Sequence, residues 1–445
     1  MPKMPNMPKQ IHFGLFLLGA GCHMAGWRMP GALDNFESIT DMVAISQEAE
    51  RGLFDMIFVG DGLGANLKGH PGFASRLEPV SMLSAIAMAT KHIGLGATSS
   101  TTYGDPWTVA RAFSTLDHIS AGRAAWNVVT SSGSGAAANF GRDHPDHASR
   151  YEMSGEFVDV VKQLWDAWAP GALVKDADSG VYFDETKVHE INHKGRFYDV
   201  KGPLNISRPP QGRPVILQAG SSEAGQELAA QHADVVFTVT HDIDDARAFY
   251  ASLKGRLAKY GRTPEDLVIL PGMMPVVGAT QAEALEKLAQ VQGFIADDGA
   301  LDMLSMRLGM DMSGHDLDGP VPDVPVTDNS RGFADAIMKK ARKDDLSLRD
   351  LFNLVAAARG HWVLPGTPES IADTLVEWVD AEAADGFIVN PAWFMGALTD
   401  FVDTVVPELQ ARGRYRTAYK GPHLRDHLGL AMPEIPPVRQ AKTTG

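Results

Sequence analysis

"IGLGATSSTTYGDPWTVARAFSTLDHISAGRAAWNVVTS", residues 93–131, contains one complete structural repeat. Ile93–Thr101 and Ala124–Ser131 are short apolar runs, continuous rather than alternating, as expected of strands buried on both faces of a parallel sheet. Between them, Pro106–Ile119 spaces its apolar residues three and four apart, and Asp105-Pro106 is a helix start signal. The stretch therefore reads strand, helix, strand.

The same alternation extends in both directions. Further strands are expected at Ile11–Gly19, Met56–Asp61, Val215–Gly220, Asp234–Val239, Leu267–Val277 and Gly386–Pro391. Further helices are expected at Ser38–Arg51, Pro79–Lys91, Ser149–Trp168, Glu223–Gln231, Asp242–Lys259, Gln281–Phe294 and Pro368–Ala384. Eight strands alternating with eight helices predict an α/β fold, a (β/α)8 TIM barrel spanning residues 1–445 as a single domain. A doubly wound open sheet also alternates, but with fewer strands. Two connections exceed ordinary lengths, about 169–214 and 297–364. The first is expected to hold a β-hairpin. The second, rich in Gly, Pro and Asp, is expected to form a partly mobile lid.

Composition excludes several functions. The net charge of −15 argues against a nucleic-acid partner, which demands a basic footprint. The single cysteine, Cys22, permits no internal disulfide and suits a cytoplasmic protein. The opening "MPKMPNMPKQ" is followed by an apolar stretch too short for a membrane span and lacks a signal-peptide layout.

The most tempting motif misleads. "VHEINHK" (Val188–Lys194) contains H-E-x-x-H, which binds zinc when a helix brings its two histidines onto one face. Its flank "GRFYDVKGP" alternates like a strand. In an extended chain His189 and His193 stand about 13 Å apart at roughly 3.3 Å per residue, too far to share an ion. "GDGLGANLKG" (Gly60–Gly69) breaks the dinucleotide spacing, and "SSGSG" (Ser131–Gly135) lacks a Walker lysine. "DHPDH" (Asp143–His147) reads as loop histidines rather than a metal set. No G-x-S-x-G elbow is present.

In a barrel the chemistry lies at the C-terminal strand ends. Those ends supply Cys22-His23, Asp61, Thr98–Thr102, Asn127 with Thr130–Ser132, and Gln218 with Ser221-Ser222. "GSSEAG" runs directly into a helix, so it is either a phosphate cradle or a plain N-cap. "HASRY" (His147–Tyr151) opens another helix and offers donors or merely a cap. Asn127 lies inside a buried run and needs partners. Donors, an anion seat and aromatic walls, without a nucleophile or metal set, suit a phosphorylated cofactor that carries the reactivity itself.

Several strings carry a resemblance: "FLLGAGCHMAGWRMP", the 93–131 stretch, "KVHEINHKGRFYDVKGPLN", "PVILQAGSSEAGQELAAQHADVVF" and "VVPELQARGRYR". Over about Ile11–Tyr419 the chain resembles the bacterial-luciferase-like flavin monooxygenases. Within them it is most similar to the nitrilotriacetate, EDTA and dibenzothiophene-sulfone monooxygenases, with the long-chain alkane monooxygenase also similar. The resemblance implies reduced FMN (FMNH2) delivered by a separate NAD(P)H:FMN reductase. Oxygen then adds at flavin C4a and a small-molecule substrate is oxygenated. It also implies a homodimer or homotetramer. By matching motifs, the phosphate meets Tyr151, Ser221 and Ser222, while Asp61, Thr98 and Asn127 line the ring or ribityl chain. His147 lies nearby and His23 near the reaction face. Ala20 and Ser132 stand where the alkane enzyme has a cysteine and a histidine, a departure from alkane hydroxylation. A deazaflavin-dependent oxidoreductase of the same superfamily and a flavin-binding protein without catalysis are the competing readings.

Overall fold

The computed structural model describes residues 8–19, 21–67, 70–131, 134–295, 300–324 and 331–434. Eight strands form the barrel: β1 (His12–Phe16), β2 (Met56–Val59), β3 (Gly94–Ser100), β4 (Ala124–Val129), β5 (Val215–Gln218), β6 (Val235–Thr238), β7 (Val268–Val277) and β8 (Gly386–Val389). Each pairs in parallel with the next, and β8 closes onto β1. The eight are the strands expected from sequence, shortened at their ends. Helices α1 (Ile39–Arg51), α2 (Pro79–Ala89), α3 (Pro106–Ile119), α4 (His147–Asp166), α5 (Glu223–His232), α6 (Ile243–Arg256), α7 (Gln281–Gln292) and α8 (Pro368–Asp380) flank them.

Strand burial conceals a period of two. Leu15, Ile57, Leu95 and Trp126 face the helices in the outer core, whereas Phe16, Met56, Phe58, Ala125, Leu217 and Ile388 fill the barrel interior. Each of the eight helices starts on a side-chain cap: Ser38, Glu78, Asp105, Asp146, Ser222, Asp242, Thr280 and Thr367. One such cap is worth about 1 kcal/mol. Because α1–α7 directly follow β1–β7, and α8 follows a short strand, Trp362–Gly366, paired with the end of β7, these positive helix ends ring the barrel mouth. The opposite end is sealed by a short helix, Leu424–Leu428, whose Leu424 and Leu428 join the interior core. Gly94 makes room for this plug, since a Cβ there would stand 2.5 Å from Leu424 Cδ1.

The connections between α4 and β5 and between α7 and α8 contain more order than a loop reading implies. The first holds two hairpins, Leu173–Asp176 with Val181–Phe183 and His193–Lys194 with Asp199–Val200. The second holds helices Ala300–Leu308, Arg331–Lys343 and Leu348–Ala358. They share an apolar core of their own that includes Leu304, Ile337, Leu351, Phe352 and Val355. A strand absent from the sequence reading, Trp362–Gly366, follows and pairs with the upper half of β7 from Met273 to Val277. It lies at the end of the connection read as a lid, and as an outer strand of the sheet it tolerates Pro365. Among the described residues, no helix is long and apolar enough to cross a membrane.

Candidate active site at the barrel mouth

Continuing the inward alternation beyond the apolar interior leads to Thr98 on β3 and Asn127 on β4, which are register partners. Asn127 Nδ2 donates to Thr98 Oγ1 at 2.8 Å, and that hydroxyl donates to the Val59 carbonyl at 2.7 Å. Asn127 Oδ1 is left buried with no protein partner. An unmet buried acceptor costs about 1–3 kcal/mol, so this oxygen is suited to a ligand N–H or O–H.

His23 follows β1 and is 1% exposed. Its Nδ1 accepts the Ala25 N–H at 3.0 Å, which places the proton of the neutral ring on Nε2. That nitrogen is buried and has no protein partner. Burial pushes the ring pKa down to about 4, so His23 is a neutral donor at physiological pH. Burial also pushes the neighbouring Cys22 thiol up to about 12, against the pull of the Arg359 charge, and removes it as a nucleophile.

The first turns of α4 and α5 meet at the rim. Tyr151 Oη lies 3.5 Å from Ser222 Oγ, which also accepts the Gly225 N–H at 3.1 Å as cap of α5. The cradle and cap readings of this turn are therefore compatible. The His147 ring packs on Tyr151 at 4.8 Å. Ser221 is half-buried and borders a cavity of about 360 Å³ with Thr238, Thr240 and His241. Arg150 is buried rather than solvated. It donates to the Pro145 carbonyl at 2.7 Å and to His144 Nε2 at 2.9 Å, while its Nε has no partner. Ser149 belongs to the cap, donating to Asp146 at 2.8 Å. His144 turns to Tyr103 Oη at 2.8 Å, so the two histidines of "DHPDH" face different groups. Two helix N-termini, three hydroxyls and a buried guanidinium thus fit a phosphate.

Asp61 pairs with Arg76 Nε at 2.9 Å, and burial raises its pKa despite that partner. Ala20, Lys68 and Ser132 lie outside the described residues. In "HEINH", His193 begins a strand and its Nε2 stands 3.1 Å from Glu156 Oε1. Among the described residues, no group of three His, Cys, Asp or Glu is placed to hold a metal.

The sequence reading missed two features of the mouth. Asn390, one step inward beyond Ile388 on β8, is fully buried with neither amide atom partnered. Its signal was the one that marked Asn127: an amide ending an apolar run, "GFIVN". Arg359, Gly360 and His361 form the second feature. The Arg359 guanidinium carbon lies 4.3 Å over the Phe73 ring and 5.4 Å over Phe16, and His361 stacks on Phe237 at 4.9 Å. Gly272 admits them: a Cβ there would stand 2.5 Å from His361 Nδ1 and 3.0 Å from Asn390 Nδ2. No local pattern in "ARGHW" signals this role.

A closed parallel barrel with orphaned donors and acceptors, aromatic walls and a turn suited to an anion fits an enzyme that borrows its reactivity from an organic cofactor. The chain belongs to the luciferase-like monooxygenase family, whose profile matches residues 11–385. It is 44% identical to the N-acetyl-S-(2-succino)cysteine monooxygenase of Bacillus subtilis (strain 168), covering 97% of this chain and 99% of that one. It is 45% identical to nitrilotriacetate monooxygenase component A of Aminobacter aminovorans, covering 96% and 98%. The crystal structure of riboflavin lyase with modified FMN and riboflavin superposes with a TM-score of 0.85 at 30% identity, covering 95% and 97%. The chain is accordingly a flavin-dependent monooxygenase.

Proposed function

We propose that this chain is the oxygenase half of a two-component system. It takes reduced FMN from a separate NAD(P)H:FMN reductase and uses O2 to oxygenate a small organic substrate. The observation that carries the reading is the pairing of Tyr151 with Ser222 at two converging helix N-termini, across the rim from the unpartnered His23 Nε2. That arrangement suits a phosphate at one end and a reacting ring at the other. A relative named as component A of a monooxygenase, and a solved relative holding modified FMN, support the two-component and FMN assignments.

Each residue has a definable task. Ser221, Ser222, Tyr151 and the first N–H groups of α5 hold the phosphate, with His147 packed behind Tyr151 and Arg150 supplying positive charge nearby. Thr98 fixes the Asn127 amide so that its Oδ1 accepts from the ring or ribityl chain. Asp61, already paired with Arg76, borders the same wall. His23 presents its Nε2–H at the reaction face as a neutral donor. The helices between α7 and α8 exclude water from above. Bound reduced flavin supplies the activation of O2, which none of these side chains provides. Homodimeric or homotetrameric assembly belongs to the same proposal, and light scattering measures it.

The test is anaerobic titration of the purified protein with oxidised FMN, reduced FMN and reduced deazaflavin, followed by an oxygen pulse. Selective tight binding of reduced FMN with oxygen uptake supports the proposal. Binding of deazaflavin alone overturns it in favour of hydride transfer. Binding of all three without oxygen consumption leaves a flavin carrier, and binding of none removes the flavin reading.

A further inference from the structure

We infer that Asn390 recognises the substrate of this site, and that the substrate it selects carries a neutral amide or lactam edge beside an apolar body. The inference rests on the reading of the barrel mouth as the place where substrate meets bound flavin. It extends that reading to a residue that neither the motifs nor the resemblance singled out.

The first observation is the direction of the side chain. Phe387 and Val389 belong to the outer core and Ile388 to the barrel interior, so Asn390, two residues beyond Ile388, faces inward one layer higher. Its backbone is fixed there, because the Asn390 N–H donates to the Met273 carbonyl at 2.8 Å. The residue is fully buried, yet neither Nδ2 nor Oδ1 has a hydrogen-bond partner. Buried amides are nearly always paired. One left unpaired at both ends, at the mouth of a barrel, suits a ligand that supplies an acceptor and a donor together.

The second observation is what surrounds the amide. A Cβ at Gly272 of β7 would stand 2.7 Å from Phe237 Cε2 and 3.0 Å from Asn390 Nδ2, so ring and amide meet over a position without a side chain. On the other side, the pairing of Leu15 with Val389 brings the inward-facing Phe16 beside Asn390. The Phe16 and Phe237 rings lie 6.1 Å apart, and Phe58 stands 5.2 and 5.5 Å from them. These three rings form an apolar floor with the Asn390 amide at its edge. Pro391 and Ala392 accept the N–H groups of Cys22 and His23 at 2.8 and 3.2 Å, which sets His23 and its unpartnered Nε2 at the adjoining strand end.

The third observation is chemical. A carboxamide presents a donor and an acceptor side by side and carries no charge. A hydrocarbon meets neither atom, and a carboxylate meets Nδ2 but sets a negative oxygen against Oδ1. A lactam or primary amide has N–H and C=O on one edge and meets both. The flavin pyrimidine ring has such an edge too, with its N–H between two carbonyls. Position assigns the edge to the substrate: Tyr151, Ser222 and Asn127 belong to the β4–β5 side, and Asn390 stands across the barrel from them.

The experiment compares 2-quinolinone with coumarin, which differ only in a ring N–H replaced by oxygen, and with 2-naphthoate. Their dissociation constants are measured by saturation-transfer NMR on wild type and Asn390→Leu loaded with oxidised FMN, alongside the FMN affinity of each protein. The wild type is expected to bind the lactam about tenfold more tightly than the lactone, the effect of one hydrogen bond made or unmet. It should also prefer the lactam to the carboxylate. Asn390→Leu should erase both preferences and leave FMN affinity unchanged. Equal binding of lactam and lactone by the wild type, or no binding of the lactam at millimolar concentration, would overturn the inference. So would a preference that survives in Asn390→Leu. If that variant also binds FMN more weakly, the edge that Asn390 reads belongs to the flavin ring. If Asn390→Leu fails to fold, Gly272→Ala, whose Cβ displaces the amide, takes its place. Failure of the wild type to bind FMN refutes the FMN reading alone, because the lactam comparison is then made on the apoprotein.

Discussion

Asn127 projects inward from β4 and Asn390 from the end of β8, four strands apart and thus on opposite walls of an eight-stranded barrel. Both carry amide atoms that the protein leaves unmet. Asn127→Ala removes the free acceptor but leaves the Thr98–Val59 hydrogen bond intact. It should weaken reduced FMN binding about tenfold, the loss of one hydrogen bond of about 1–1.5 kcal/mol, with little change in melting temperature. Titration and a thermal melt on the same sample check both halves. His23 yields a pH prediction. Its folded pKa of about 4 lies below its ordinary value of 6.5, so the unfolded chain binds the proton first as pH falls. The stability contributed by the neutral ring is complete above about pH 6.5 and declines between there and pH 4, by at most about 3 kcal/mol. His241 and His427, also held near 4 by burial, add to the same slope. The melting temperature should therefore fall across this window and less steeply in His23→Gln. A pH–rate profile should show no ionisation from His23 between pH 6 and 8.

Among the secondary-structure elements, the hairpin carrying "HEINH" shows how a catalytic spelling can serve packing. Glu156 of α4 accepts the backbone N–H groups of Arg196, Phe197 and Tyr198 at 2.9–3.2 Å as well as facing His193 Nε2. Gly195 permits this approach, because a Cβ would stand 2.0 Å from the carboxylate. Glu156→Ala strands several amides and should destabilise the protein by about 2–3 kcal/mol. Limited proteolysis should then cut first between Asn192 and Val200, and protection of that segment in the variant would refute the account. Gly195→Ala should mimic it.

The same contrast explains what the sequence revealed. Barrel strands were legible because each is a continuous apolar run, and their helices because Asp105-Pro106 and Thr367-Pro368 announce them. Trp362–Gly366 was obscured by its place at the end of a connection read as a lid. The helix Leu348–Ala358 lay within a connection read as a lid, although Leu348, Leu351, Phe352 and Val355 keep helical spacing. Arg359 could not be read at all: its place at the mouth comes from meeting Phe16 and Phe73, more than 280 residues away, and no local period encodes that meeting.

Across the whole molecule, the start and end of the barrel are bound by one buried ionic cluster. Asp55 is fully buried, pairs with Arg416 and with His12 Nδ1 at 3.1 Å, and accepts the Phe13 N–H at 2.8 Å. Burial alone would raise its pKa, but Arg416 and His12 hold it near 2. The resulting stability is complete above about pH 4 and is lost as pH falls toward 2. Arg416→Ala leaves a buried carboxylate without its main partner and should cost about 3–5 kcal/mol, which urea unfolding near neutral pH measures. Recovery in the double variant with Asp55→Asn would confirm the cause.

The plug at Leu424–Leu428 has a consequence for synthesis. The first strand to leave the ribosome, β1, finds its second neighbour only when Gly386 reaches His12, and the interior is sealed later still, when Leu424 meets Gly94. During most of translation the nascent half-barrel has an open parallel edge and an uncovered floor, the features that make an emerging chain dependent on chaperones. A stop codon placed just before Leu424 should therefore remove little of the site's chemistry yet send most of the product into inclusion bodies.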